Sequence, residues 1–132
     1  MSNPLRDMDK PDVIFCIGTN MTECHPVAAT RIKKALKRGA KMIVADPRKI
    51  PLAKMAHVYL PLRVGSDVAL LLAMAHVINR EGLINDTFIE ERTQYGEEFI
   101  KHLETFTPEW AAGITGLKVS DIEQAAIWYG AA

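Results

Sequence analysis

The sequence is poor in the residues that build metal-linked or disulfide-linked scaffolds. Its 132 residues include only two cysteines, Cys16 and Cys24, and their spacing matches neither a CxxC pair nor a zinc motif. The four histidines are scattered without ligand spacing, so the sequence predicts no metal site. We interpret Cys16, which lies in an apolar run, as a small core residue.

The sequence also lacks an excess of either charge and any long apolar run. Sixteen basic and sixteen acidic residues give a formal net charge of zero, which argues against nucleic acid as a general partner. The longest strongly apolar stretch, residues 68–75, is far shorter than a membrane span. The first ten residues lack the apolar core of a signal peptide. We expect a cytoplasmic rather than a periplasmic location, although the missing signal in a fragment is no argument for it.

Length and composition predict one globular domain over residues 1–132, with 48% hydrophobic and 24% charged residues. Short apolar runs predict three strands, at 13–17, 42–45 and 58–60. The first of these runs is continuous, so we expect this strand to be buried on both faces. An amphipathic helix begins at Pro26 and connects the first two strands, which predicts a βαβ unit.

The rest of the chain predicts helices. We expect a short helix around 51–55 and a helix buried on most sides from 66 or 67 to about 80. Three or four short helices should follow over 85–131, with aromatic residues such as Tyr95 in their core. The capping signals are Thr107 before Pro108 and two capping-box patterns, Thr87-x-x-Glu90 and Ser120-x-x-Glu123. These patterns predict a three-layer, Rossmann-like α/β domain with a small parallel sheet and a helical C-terminal part.

Each predicted strand is followed by a polar loop: Gly18-Thr19-Asn20, Asp46-Pro47-Arg48 and Gly65-Ser66-Asp67. In a parallel sheet these loops lie at the carboxyl edge, where such folds bind ligands, and a helix N-terminus there suits a phosphate. Asp46 stands where Rossmann-type proteins place a carboxylate on ribose hydroxyls, and Arg48 suits a phosphate. Asp67 suits the paired N–H groups of a base edge.

Each of these residues also has a purely structural explanation. Gly18 and Asp46 fit ordinary tight turns, and Asp67 fits a helix cap or a favourable charge at a helix N-terminus. A full G-x-G-x-x-G is missing. The residues alone therefore predict a nucleotide-binding fold without a reaction, and they leave open an autonomous adenine-nucleotide-binding or regulatory module with no redox role.

Three motifs in order resemble one family over nearly the whole chain. They are Ile-Gly-Thr-Asn-Met-Thr-Glu-Cys-His-Pro, Gly-Ala-Lys-Met-Ile-Val-Ala-Asp-Pro-Arg and Leu-Arg-Val-Gly-Ser-Asp-Val-Ala-Leu-Leu. The chain resembles the molybdopterin oxidoreductase family, and most of all the catalytic alpha subunits of molybdenum- or tungsten-dependent formate dehydrogenases.

The resemblance implies that the chain is one cofactor-binding α/β domain excised from a longer enzyme. Such a domain holds one of two molybdopterin guanine dinucleotides, chiefly through its GMP portion. The contact residues implied are Gly18, Thr19, Asn20, Met21, Glu23, Ala45, Asp46, Pro47, Arg48, Gly65, Ser66 and Asp67.

The resemblance also implies what the parent enzyme does. It would oxidise formate to carbon dioxide with a bis-molybdopterin guanine dinucleotide of molybdenum or tungsten, and its partners would include its remaining domains and electron-transfer subunits. The family's iron–sulfur cluster needs four clustered cysteines, and its metal ligand is a cysteine or selenocysteine followed by histidine. Neither has a match here, since Cys24-His25 lies inside the first nucleotide loop. We therefore expect no catalytic residue in this chain and no activity from it alone.

Overall fold

The fold is of the predicted α/β class. The computed structural model describes residues 4–94 and 96–132, so Tyr95 and its expected place in the core lie outside the described residues. Within them, one three-stranded parallel sheet accompanies seven α-helices, which confirms the small parallel sheet. The chain divides into two compact units, Met1–Pro61 with Ala132, and Leu62–Ala131. The single domain over residues 1–132 stays a prediction.

The first unit contains the sheet. After a short 3-10 helix at Leu5–Asp9, its elements are β1 (Val13–Ile17), α1 (Met21–Cys24), α2 (Pro26–Lys37), β2 (Lys41–Ala45) and β3 (Val58–Leu60). The strand order is β1-β2-β3 and both pairs are parallel. Because Ile17 pairs with Ala45 and Ala45 with Leu60, the carboxyl ends of all three strands lie level at one edge of the sheet.

The expectation that β1 is buried on both faces is wrong. Among its five residues only Cys16 is buried, whereas four of the five residues of β2 are buried. Edge position alone does not explain the difference, because β3 is also an edge strand and two of its three residues are buried. The apolar run thus predicted the strand correctly and its burial wrongly.

Helix α2 packs its apolar face into the core of the first unit. Ile32 and Ala35 are fully buried, while Lys33 and Lys34 between them are exposed, as an amphipathic helix requires. The central cluster of buried residues is Cys16, Ile32, Met42, Val44, Ile50, Leu52 and Ala53.

Residues 51–55 form turns instead of the predicted short helix. The amide of Met55 donates to the carbonyl of Leu52 at 3.0 Å, and that of Ala56 to Ala53 at 3.4 Å. These bonds reach back three residues, and the bond that reaches back four, from the amide of Lys54 to the carbonyl of Ile50, is long at 3.3 Å, so the segment stays at the level of separate turns. It still buries Leu52 and Ala53.

The second unit is helical, with α3 (Asp67–Arg80), α4 (Asp86–Arg92), α5 (Gly96–Leu103), α6 (Pro108–Thr115) and α7 (Val119–Gly130). Helix α3 packs against α5, α6 and α7, and buries Leu70, Ala73 and Val77 fully. Its other face is open, since Val68 is 68% and Leu71 43% exposed, so α3 is less enclosed than predicted. No helix among the described residues is both long and apolar enough to span a membrane.

The predicted helix caps are right in one case and wrong in two. The Thr107 Oγ1 accepts from the amide of Trp110 at 3.2 Å, which confirms the cap before Pro108. Helix α4 is capped by Asn85, whose Oδ1 accepts from the amide of Phe88 at 3.0 Å, so Thr87 lies inside the helix. Ser120 likewise lies inside α7, which begins one residue earlier, at Val119.

The two cysteines should differ sharply in reactivity. Burial raises the pKa of the Cys16 thiol to about 11, whereas Cys24 is exposed. The reactive species is the thiolate, so a brief treatment with a thiol reagent at about pH 8 should label Cys24 alone. Mass spectrometry of the native protein should show one label, and the denatured protein should show two. A native Cys24→Ala variant that still takes a label at the same rate would contradict the burial of Cys16.

Candidate nucleotide-binding site

The first loop leaves β1 through a turn that only glycine adopts easily. Gly18 has a φ of +57°, in the left-handed region, and its amide donates to the carbonyl of Ala45 at 3.1 Å. This bond lies just beyond the last pair of β1 and β2 and therefore holds the first and second loops side by side. The structure thus brings together two of the three predicted loops.

The first loop then winds into the single turn of α1. The backbone carbonyl of Asn20 accepts hydrogen bonds from the amides of Glu23 and Cys24. The side-chain Oδ1 of Asn20 accepts from the Thr22 hydroxyl at 2.9 Å. Asn20 therefore shapes the loop with its own polar groups. The side chain of Glu23 is exposed.

A cavity of about 590 Å³ adjoins the first loop. Its wall includes two predicted site residues, Thr19 and Met21, both partly exposed. The remaining lining residues are Leu5, Met8, Cys24, His25, Pro26, Val27 and Ala28. The first loop therefore borders a concave and mainly apolar surface within the first unit, which is the kind of surface that small molecules occupy.

Asp46 is the most constrained residue of the second loop. Only 3% of it is exposed, and its Oδ1 accepts from the amide of Arg48 at 2.8 Å. Its own amide donates to the carbonyl of Leu60 at 3.2 Å, which ties the loop to the end of β3. Asp46 is therefore a turn former, as its structural explanation requires, but this role occupies only one of its two carboxylate oxygens.

Asp46 interacts with two further side chains, those of Arg48 and Tyr59. The Nε of Arg48 lies 3.8 Å from Oδ1, but 75% of the Arg48 side chain is exposed, so this ion pair contributes little to stability. Burial raises the pKa of Tyr59, and the negative charge of Asp46 raises it further. Arg48 and Pro47 are exposed, and Ala45 is buried in β2.

The third loop lies in the second unit and is anchored there. Gly65 has a φ of +82°. Ser66 is 4% exposed, and its hydroxyl donates to the carbonyl of Arg63 at 2.6 Å. Asp67 is exposed and is the first residue of α3. The sequence linked Asp67 to a base edge, and its position in the first turn of α3 also satisfies the dipole explanation.

Arg63 is a residue that the sequence interpretation missed. Its Nη1 donates to the carbonyls of Gly113 at 3.0 Å and Ile114 at 3.3 Å, and its amide donates to the carbonyl of Thr115 at 2.9 Å. These are carbonyls at the C-terminal end of α6, which attract a cation. Arg63 thereby fixes the start of the third loop. The one signal for this residue in the sequence is its place in the same motif as Gly65 and Ser66.

The protein thus has an α/β fold, with two polar loops side by side at the carboxyl edge of its parallel sheet. A family model described as "Molybdopterin oxidoreductase" matches residues 1–132, so this chain belongs to the molybdopterin oxidoreductase family.

Curated relatives cover the whole chain. The chain is 43% identical over 132 residues to formate dehydrogenase H of Escherichia coli, matching 100% of this chain and 18% of that protein. It is also 43% identical over 132 residues to F420-dependent formate dehydrogenase 1 subunit alpha of Methanococcus maripaludis, matching 100% of this chain and 20% of that protein. A nitrate reductase of Symbiobacterium thermophilum is 41% identical over 137 residues, with 96% and 18% covered. This chain thus spans about a fifth of the length of these relatives.

A solved structure supports the fold independently. Acetylene hydratase from Pelobacter acetylenicus superposes with a TM-score of 0.84 at 36% identity, over 91% of this chain and 17% of that chain. The α/β class is therefore shared with a longer protein of known structure.

The role of Asp46 in the turn can be separated from its charge. Asp46→Ala removes the charged acceptor of the partly buried hydrogen bond from the Arg48 amide and should lower the free energy of unfolding by about 1–3 kcal/mol. Asp46→Asn keeps an Oδ1 acceptor of the same shape and should lose much less. Urea unfolding followed by circular dichroism measures both, with Arg48→Ala as the control, because it keeps the Arg48 amide. Equal loss in the two Asp46 variants would show that charge, not the turn, stabilises the loop.

Proposed function

We propose that this chain is the segment of a formate dehydrogenase alpha subunit that binds the GMP portion of a molybdopterin guanine dinucleotide. The observation that carries the proposal is the pairing of the first two loops through the Gly18–Ala45 hydrogen bond, with Asp46 fixed beside it. The whole enzyme would oxidise formate to carbon dioxide and pass two electrons to electron-transfer subunits. The similarity to named formate dehydrogenases supports this choice of substrate.

The names of the relatives also bear on the role of the segment. Proteins named for formate, nitrate and acetylene all contain a similar segment. A segment that occurs in proteins named for different small molecules is better explained by a feature that these proteins share than by the small molecule that distinguishes them. A shared cofactor meets that condition, and a formate-specific pocket does not.

The residues present fit a nucleotide. Among the described residues no hydrogen bond uses Oδ2 of Asp46, which leaves that oxygen for ribose hydroxyls. The exposed Arg48 guanidinium suits a phosphate, and the exposed carboxylate of Asp67 suits the N1–H and N2 amine of guanine together. When bound, the cofactor's metal centre would supply the redox chemistry, and these residues would hold and orient its nucleotide.

Asp67 should decide between guanine and adenine. Guanine presents two adjacent donors to a carboxylate, whereas adenine presents a lone pair at N1, and a site built on paired donors rejects the analogue that lacks them. The chain should therefore prefer GMP to AMP in ligand-observed NMR, and Asp67→Ala should erase the preference while leaving some affinity for phosphate and ribose. Asp86→Ala, an exposed first-turn aspartate of α4, is the matched control. A preference for AMP would favour the adenine-nucleotide module instead.

The chain alone should not oxidise formate. It has two cysteines where the family's iron–sulfur cluster needs four, and no cysteine or selenocysteine in the position of the metal ligand. A purified sample should bind no iron by elemental analysis and should not reduce a redox dye when formate is added. Reduction at a rate above that of buffer would contradict the assignment of catalysis to the remainder of the parent protein.

A further inference from the structure

The zero net charge of the chain hides two strongly charged halves. The unit Met1–Pro61 holds 11 of the 16 lysines and arginines but only 5 of the 16 aspartates and glutamates. The unit Leu62–Ala131 holds the reverse, 5 basic and 11 acidic residues. Such an asymmetry favours binding to a charged partner. The GMP site uses few of these charges.

The positive charge is concentrated on the C-terminal half of α2 and the residue after it. We call Lys33, Lys34, Lys37 and Arg38 the basic face; all four are exposed, and no ion pair among the described residues includes them. No acidic residue occurs from 24 to 45. Favourable interaction with the helix dipole explains cations in the last turn but not the lack of any acidic residue in the whole segment.

The second unit has five exposed carboxylates on α4 and α5. We call Asp86, Glu90, Glu91, Glu97 and Glu98 the acidic face; all five are exposed. Phe88 on α4 is 57% exposed and Phe99 on α5 is 49% exposed. Phe88 and Glu91 are three residues apart on α4 and are therefore neighbours on its surface, where an exposed ring beside a carboxylate suits a lysine or an arginine.

We propose that the basic face of one copy of this chain docks on the acidic face of a second copy. The same sequence supplies both surfaces in matching charge, so a second copy satisfies both at once. A nucleic acid would account for the basic face and leave the acidic face with its two phenylalanines unexplained. Because the two faces differ, each contact joins unlike surfaces, the basic face of one copy and the acidic face of the other.

The dependence of self-association on salt concentration distinguishes this charged contact from apolar association. The Debye length falls from about 30 Å at about 0.01 M salt to about 3 Å at about 1 M salt, and exposed charge pairs weaken accordingly. Analytical ultracentrifugation of the 14.7 kDa chain should show a mass that rises with concentration at low salt and a monomer at high salt. Association that persists or strengthens at high salt would overturn the proposal in favour of apolar contact.

Charge reversal tests the two faces separately. Lys34→Glu with Lys37→Glu, or Glu90→Lys with Glu91→Lys, should each weaken self-association at low salt by about tenfold or more. Mixing the two variants should restore association, because the unaltered acidic face of the first variant meets the unaltered basic face of the second. Circular dichroism verifies that both variants remain folded.

The matched control changes the net charge without touching either face. Lys49→Glu with Lys54→Glu reverses two exposed basic residues of the first unit, and should leave self-association nearly unchanged. Equal weakening by this control would mean that net charge alone governs association and would overturn the proposal. So would failure of the mixed variants to associate, a monomer at low salt, or nucleic acid detected by absorbance in the associating sample. Loss of GMP binding in the Asp67 variant has no bearing on these outcomes, so the two proposals fail separately.

Discussion

The hydrogen bond from the amide of Gly18 to the carbonyl of Ala45 determines how the edge of the sheet is built. It forms at 3.1 Å because Gly18 takes a φ of +57°, which costs an L-residue conformational energy. The space around the position is open, since a Cβ at Gly18 would meet no atom within 4 Å. The requirement for glycine is thus a matter of backbone conformation and not of crowding. Without this turn, the first loop would leave the second, and the proposed nucleotide site would lose one side.

Asp46 shows that a structural and a functional explanation of one residue can both hold. A carboxylate has two oxygens with several acceptor sites, and the turn uses only Oδ1. A nearly buried carboxylate is costly unless it is hydrogen-bonded, and the Arg48 amide provides that bond. The turn thereby holds a charge at the end of β2 that would otherwise be unfavourable there. Hydroxyl groups of a ribose would add the further donors that this charge favours.

The sequence predicted elements better than their surroundings. β1 and β3 have the predicted bounds and α2 begins at Pro26 as expected, because a proline or a bounded apolar run acts locally. The burial of β1 depends on what packs against its two faces, which no local pattern contains. The capping-box pattern at Thr87 gave a wrong cap. Asn85, two residues earlier, forms the cap, and threonine and glutamate three residues apart also occur inside helices.

The polar loops after the strands could be recognised in the sequence, and the support of the third loop could not. Arg63 meets carbonyls about 50 residues further along the chain, at the end of α6, where Gly116 has a φ of +76°. The position of a Cβ at Gly116 would be 3.3 Å from the Arg63 Nε, so the glycine leaves room for the guanidinium. Through Arg63 and Ser66 the second unit holds the start of α3 in one conformation. A ligand that contacts Asp67 would therefore meet a backbone that is fixed before it binds, which lowers the entropy cost of binding.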